Sequence, residues 1–177
     1  MFLQGETCKE LKYSVDRLVK GLASSRQSAR HGFSVALCQI LRNFSTVTVD
    51  SVLQAVAMQL KYTQKESKSE QGNILLGKTL AYLALIQSGR LCQNQESQLQ
   101  KVTKHLLEIK KKKSYLQQIC TNAVALAISQ VDTETFKGYI YPEIESDLIQ
   151  GWEACTPDSF LLLLSCYKHQ SVSHVCS

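Results

Sequence analysis

Residues 11–44 read LKYSVDRLVKGLASSRQSARHGFSVALCQILRNF, and their apolar periodicity decides the fold class. Leu11, Val15, Leu18, Val19 and Leu22 recur at i, i+4, i+7, i+8 and i+11, a continuous stripe along one side of an α-helix. The spacing predicts a first helix over residues 6–22. After a turn of small and polar residues, Ala29, Phe33, Ala36, Leu37, Ile40, Leu41 and Phe44 form a second stripe, with Arg26, Arg30 and Arg42 off it. Ser24 or Ser25 is placed to cap that second helix, because a serine hydroxyl accepts N–H groups that a first turn leaves unpaired. Two amphipathic helices on a short connection form an antiparallel hairpin.

The pattern repeats outward from this hairpin. Thr46 or Thr48 can cap a third helix, with Asp50 in its first turn, where the helix dipole favours an anion. Val52, Leu53, Val56 and Leu60 form its stripe. Residues 61–73, KYTQKESKSEQGN, have no apolar period and are predicted to be a loop. Residues 74–86 are apolar nearly all round, the mark of a buried helix, and Gly89 suits a left-handed helix stop. Further stripes run through Leu99, Val102, Leu106 and Ile109, through Leu116, Ile119, Ala123, Ala127 and Val131, and through Phe136, Ile140, Ile144 and Leu148. The last of these should be interrupted near Pro142. Thr156 followed by Pro157 and Asp158 starts a final short helix through Leu164, with Thr at the cap and Pro in the first turn.

Seven or eight helices and no strand follow from this reading. Buried, small-residue-containing helices at 29–44 and 74–86 recur after about 45 residues, within the ~40–47 residue period of HEAT and armadillo repeats. The expected fold class is therefore all-α, an armadillo/HEAT-like α-solenoid segment over residues 6–164. Residues 165–177 are expected to form an atypical, disordered tail.

Composition agrees. Eight glycines and two prolines in 177 residues leave few turn signals for an all-β fold, and the length suffices for a real core. The net charge of +5 is unevenly spread. Residues 1–44 carry seven Lys/Arg against three Asp/Glu, residues 45–131 eleven against five, and residues 132–160 one against seven. A basic surface suits nucleic acid or an acidic partner, and equally a solvated helix face. The seven cysteines include no CxxC pair and several lie in apolar stretches, which reads as reduced, core-filling cysteine. There is no secretory signal pattern and no apolar run approaching the ~20 residues that span a bilayer, so no membrane association is expected.

Three constellations could carry chemistry. Residues 72–79, GNILLGKT, match the phosphate-loop pattern, which would place Lys78 on the phosphates of ATP and Thr79 on Mg²⁺. That loop needs a strand before it, and KYTQKESKSEQ cannot be a buried strand. The alternative is a helix in which Gly77 lets a neighbour approach closely. Lys110, Lys111, Lys112 and Lys113 form a dense basic patch with Lys101, Lys104 and His105, suited to a nuclear-localisation signal, to phosphate contact or to a solvated turn. Cys166, His169, His174 and Cys176 are zinc-ligand residue types at C-x₂-H-x₄-H-x-C, a spacing outside the usual zinc sets. No G-x-S-x-G, H-E-x-x-H or G-x-G-x-x-G occurs, and Glu143, Glu145, Asp147 and Glu153 read as a solvated acidic face. No catalytic residue and no cofactor are expected.

The segments LKYSVDRLVKGLASSRQSARHGFSVAL, LALIQSGRL, HLLEIKKKKSYLQQ and GWEACTPDSFLLLL resemble the Myb-binding protein 1A family, whose fungal relatives were once called DNA polymerase V. The tail YKHQSVSHVCS does not share the resemblance. It implies an armadillo-like helical protein of the nucleus and nucleolus that is not an enzyme. It further implies a transcriptional co-regulator that binds Myb-like transcription factors and other nuclear proteins, and a link to ribosomal RNA gene expression and ribosome biogenesis. Such proteins run to many hundreds of residues, so the chain is expected to be an N-terminal fragment or a short isoform. Partner contacts are expected at Arg17, Lys20, Arg26 and Arg30 and at Lys110, Lys111, Lys112 and Lys113, with DNA or RNA as the alternative ligand of the same basic faces.

Overall fold

A computed structural model describes residues 9–63, 65–149 and 152–169. The described residues are all-α, with eight α-helices of eight or more residues and no strand among them. The chain divides into two compact units, Met1–Arg90 and Leu91–Ser177.

The first unit contains α1 (Lys9–Gly21), α2 (Gln27–Asn43), α3 (Val49–Gln59) and α4 (Lys68–Gln87). α1 packs against all three of the others, and α2 against α4. Val15, Val19, Leu22, Leu37, Leu41, Val52, Val56, Leu75 and Leu85 are buried, so the apolar stripes of the sequence do face one core. The segments 29–44 and 74–86, which share small residues at a spacing suggestive of successive repeats, pack directly on one another as parts of α2 and α4.

Two local expectations change. Neither Ser24 nor Ser25 caps α2. Arg26 holds the N-cap position in extended backbone with no side-chain cap, because the Ser24 hydroxyl instead accepts from the Arg26 N–H at 3.2 Å, closing a local turn two residues on. The stretch 61–73 is not all loop, because α4 begins at Lys68. Ser67 and Glu70 form a capping box: Ser67 Oγ accepts from Glu70 N at 3.2 Å, and Glu70 Oε2 accepts from Ser67 N at 3.0 Å. Polar composition concealed a helix start that the S-x-x-E spacing encodes. Thr48 caps α3 as expected, accepting from Ser51 N at 3.1 Å, and Gly89 adopts φ 77° after α4.

The second unit contains α5 (Glu96–Lys112), a 3₁₀ turn (Ser114–Leu116), α6 (Gln117–Gln130), α7 (Thr133–Thr135) running into a π-turn (Phe136–Ile140), α8 (Tyr141–Leu148) and α9 (Pro157–Tyr167). α6 packs between α5 and α9, while α5 also meets the π-turn and α8. Pro142 does not break the helical path. It falls in the first turn of α8, where a missing N–H costs little, and the wider turn before it closes through Tyr141 N donating to Phe136 O.

The helix capped by Thr156 extends to Tyr167 rather than Leu164, and residues 165–169 belong to the folded unit. Cys166 and His169 are buried. Lys168 Nζ donates to Ser129 O at 2.7 Å and His169 Nε2 bonds Ile128 O at 2.9 Å. The end of α9 therefore satisfies carbonyls that the C-terminus of α6 leaves without helical partners, where cations and N–H donors are favoured. Residues 170–177 lie outside the described residues.

Candidate interaction surface

The phosphate-loop match is overturned. Gly72, Lys78 and Thr79 lie within α4, so their backbone N–H groups are committed to a helix ladder and cannot cradle phosphate. Thr79 is fully buried and its hydroxyl donates to Leu75 O at 3.0 Å, which removes it from any metal. A Cβ on Gly77 would lie 3.1 Å from Leu22 C, Leu22 O and Ala23 N. The glycine is a packing residue, and it lets α4 touch the backbone at the end of α1. A Cβ on Gly21 would run into the Phe33 ring of α2. The end of α1 is thus closely approached by both α2 and α4.

Cys166 and His169, the described half of the zinc pattern, are not presented to a metal. His169 Nε2 is bonded to Ile128 O, Nδ1 lies 3.2 Å from Thr133 Oγ1, and the ring stacks on Phe136 with centroids 4.5 Å apart. Both ring nitrogens are engaged, so neither is available to a metal. Burial pushes the Cys166 thiol up to about 12, away from the thiolate that zinc requires. His174 and Cys176 lie outside the described residues. Among the described residues no group of three or more His, Cys, Asp or Glu could hold a metal ion.

Sorting the basic residues by what they touch separates structural cations from available ones. Arg30 donates to Ser24 O at 2.6 Å and ties the α1–α2 turn. Arg42 donates to Gln87 O at 2.7 Å, at the end of α4. Arg90 donates to Ser45 O and Val47 O, both at 3.1 Å, and holds the α2–α3 connection. These arginines bond the chain's own carbonyls. The stripe pattern could not reveal that, because the acceptors of Arg42 and Arg90 are more than forty residues away and that of Arg30 is a turn carbonyl. Arg17 and Lys20 are exposed on the solvent side of α1, and Arg26 is exposed at the start of α2.

In the second unit Lys110 is likewise structural. Its Nζ lies 3.0 Å from Asp147 Oδ2, with side chains only 14% and 17% exposed. Glu143 accepts from Gln100 Nε2 at 3.0 Å. The expected acidic face is therefore partly consumed in pinning α8 to α5. Lys111 and Lys112 are exposed and Lys113 is half-buried. Lys110, Lys111 and Lys112 occupy the last turn of α5, where the negative end of the helix dipole stabilises them by about 0.3–1 kcal/mol each at low ionic strength. Lys101 and Lys104 are exposed one to three turns earlier on the same helix, and Tyr115 stands 63% exposed just beyond it. Of the basic clusters expected from sequence, the solvent face of α5 gathers the most side chains on one element.

Comparison with known proteins decides the family. The family profile described as DNA polymerase phi matches residues 13–175. The chain belongs to that family. Among curated relatives of the DNA polymerase phi family, the Myb-binding protein 1A-like protein of Danio rerio is 30% identical over 94% of this chain and 13% of its own length. The rDNA transcriptional regulator pol5 of Schizosaccharomyces pombe is 29% identical over 72% of this chain and 14% of its own. Myb-binding protein 1A of Homo sapiens is 35% identical over 69% and 9%. The chain thus spans about a seventh or less of the length of these relatives. No solved structure matches. The profile reaches residue 175, so the segment after Leu164, which looked unlike the family in sequence, lies within it. The relatives carry the names of regulators and binding proteins, although the family bears a polymerase's name. No helix among the described residues is long and apolar enough to cross a membrane.

Proposed function

We propose that this chain is a non-enzymatic helical scaffold within a nuclear, nucleolar regulator of ribosomal DNA transcription, and that it works by binding transcription factors of the Myb type through exposed helix faces. The observation that carries this reading is the match over 69–94% of the chain to relatives named for Myb binding and for rDNA transcriptional regulation. The geometry supports it in a second way. Helix pairs bury their apolar stripes inward and leave long polar faces outward, the arrangement through which helical scaffolds recognise partner segments.

The test is a pull-down from nuclear extract with the whole chain, since Cys166 and His169 are core residues of the second unit. Nuclease-resistant recovery of Myb-type factors or rDNA transcription proteins is the expected result. Recovery that vanishes after nuclease treatment would assign the basic faces to nucleic acid and overturn the protein-binding reading.

A further inference from the structure

The solvent face of α5 carries a signed pattern. Lys101, Lys104, Glu108 and Lys111 recur at i, i+3, i+7 and i+10, which places them along one face of a helix. All four are exposed, while Leu99, Val102, Leu106 and Ile109 face the core. Lys101, Lys104 and Lys111 have no ion pair among the described residues. Lys110, off this face, instead reaches Asp147 of α8 at 3.0 Å. Read along the axis these four are plus, plus, minus, plus, with Lys104 and Lys111 about 10 Å apart at ~1.5 Å per residue, and exposed His105 and Lys112 lie beside them.

We propose that this face docks an acidic helix of a partner protein, one carrying two carboxylate clusters about 10 Å apart with a cationic or neutral residue between them. The inference rests on the protein-binding reading above and gives it a surface. What selects a protein over a nucleic acid is Glu108. A phosphate backbone is negative at every step, and it would meet a fixed carboxylate at the centre of the face. A helix of mixed charge can set a lysine against Glu108 and carboxylates against Lys104 and Lys111. Such matched pairs fix register and exclude wrong partners more than they add raw affinity. Tyr115, exposed at the end of the helix, supplies the kind of aromatic anchor that interfaces favour. No arginine follows Arg90 in the chain, and Lys is a point charge without the planar fork that reads phosphate or base edges in pairs.

The experiment uses the whole chain and two fluorescent probes, titrated by anisotropy at low salt. One is a helical peptide with Glu at positions 1, 4 and 11 and Lys at position 8. The other is a twenty-nucleotide oligothymidine. The patterned peptide should bind the native chain more tightly than oligothymidine does. The double variant K104E/K111E should weaken the peptide by about tenfold or more, the scale expected when attractive contacts become repulsive. Glu108→Lys separates the two ligands, because it should weaken the peptide and strengthen the oligonucleotide. Circular dichroism of each variant confirms folding, which these exposed positions should not disturb. Peptide binding that ignores both variants, or oligothymidine binding tighter than the peptide, overturns the proposal. If the K104E/K111E chain still captures the same nuclease-resistant proteins from nuclear extract, this surface is refuted while the scaffold reading stands. If the native chain captures none, the scaffold reading itself fails.

Discussion

Gly77→Ala is the sharpest test of the packing derived for the first unit. The added Cβ would lie 3.1 Å from three backbone atoms of Leu22 and Ala23. Carbon contacts prefer about 3.5–4.0 Å, so α4 and the end of α1 must separate by roughly half an ångström. Backbone cannot rotate out of the way as a side-chain tip would. Overpacking of this kind costs about 1–3 kcal/mol. Replacing a mid-helix glycine by alanine returns about 0.5–1 kcal/mol, so the net expectation is a destabilisation of up to about 2.5 kcal/mol, centred near 1. Gly32→Ala is the internal control. Gly32 lies inside α2 in the same unit and an added Cβ there meets nothing within 4 Å, so only the gain remains and the variant should be stabilised by about 0.5–1 kcal/mol. Urea unfolding followed by far-ultraviolet circular dichroism should move the two midpoints in opposite directions. If Gly77→Ala shifts its midpoint upward alongside Gly32→Ala, the close approach of α4 to α1 is wrong, and so is the account of why residues 72–79 mimic a nucleotide loop.

Other outcomes follow from single contacts. His169→Ala removes a stacked ring and leaves Ile128 O without its partner, so the second unit should lose about 2–4 kcal/mol; hydrogen exchange at the end of α6 should rise, whereas unchanged protection would mean the tail is not a structural clamp. Thr121 Oγ1 is buried and has no hydrogen-bond partner among the described residues, so Thr121→Val should hold or raise stability by up to about 1 kcal/mol, since it removes an unpaid desolvation cost; a clear loss in thermal unfolding would reveal a partner for that hydroxyl. The bonds from Ser67 hold the Glu70 carboxyl below its ordinary value, so the stability it contributes is present above the ordinary carboxylate pKa near 4 and is lost as pH falls through the lower folded value. Acid titration by NMR should therefore fray the first turn of α4 only below that range, and fraying at pH 5–6 would contradict the capping box.

The helical periodicity of the sequence located the buried faces, since every stripe it marks carries residues of the observed core, but it missed the polar first turn of α4. It failed where a residue's role depends on a partner that the apolar stripes do not mark, most often one distant in sequence. Arg30, Arg42, Arg90 and Lys110 count as surface charge in any local reading, yet each is bound to a carbonyl or carboxylate of this chain. His169 looked like part of a tail because nothing nearby in sequence shows that the end of α6 needs donors. The phosphate-loop letters are a coincidence of a related kind, and the helix with Gly77 as a close-approach residue, the reading the sequence favours, is the one observed. Glycine at position 77 is required by close packing against the end of α1, more than fifty residues upstream, and a one-dimensional pattern has no term for that.

The same sorting sharpens the functional argument. Net positive charge points to a polyanion only if the charges are available and of one sign where a ligand would lie. In this protein the structure withdraws several of the cations for internal bonds, and on α5 it leaves a face whose remaining lysines flank an exposed carboxylate. Non-specific attraction to nucleic acid would gain from replacing Glu108 and would lose nothing by it, whereas selective recognition of a protein helix needs a charge at which the wrong partner is repelled. The sign of the affinity change in Glu108→Lys is therefore more informative about this surface than the loss of binding in any lysine variant, because both kinds of ligand predict that loss and only one predicts a weakening at Glu108.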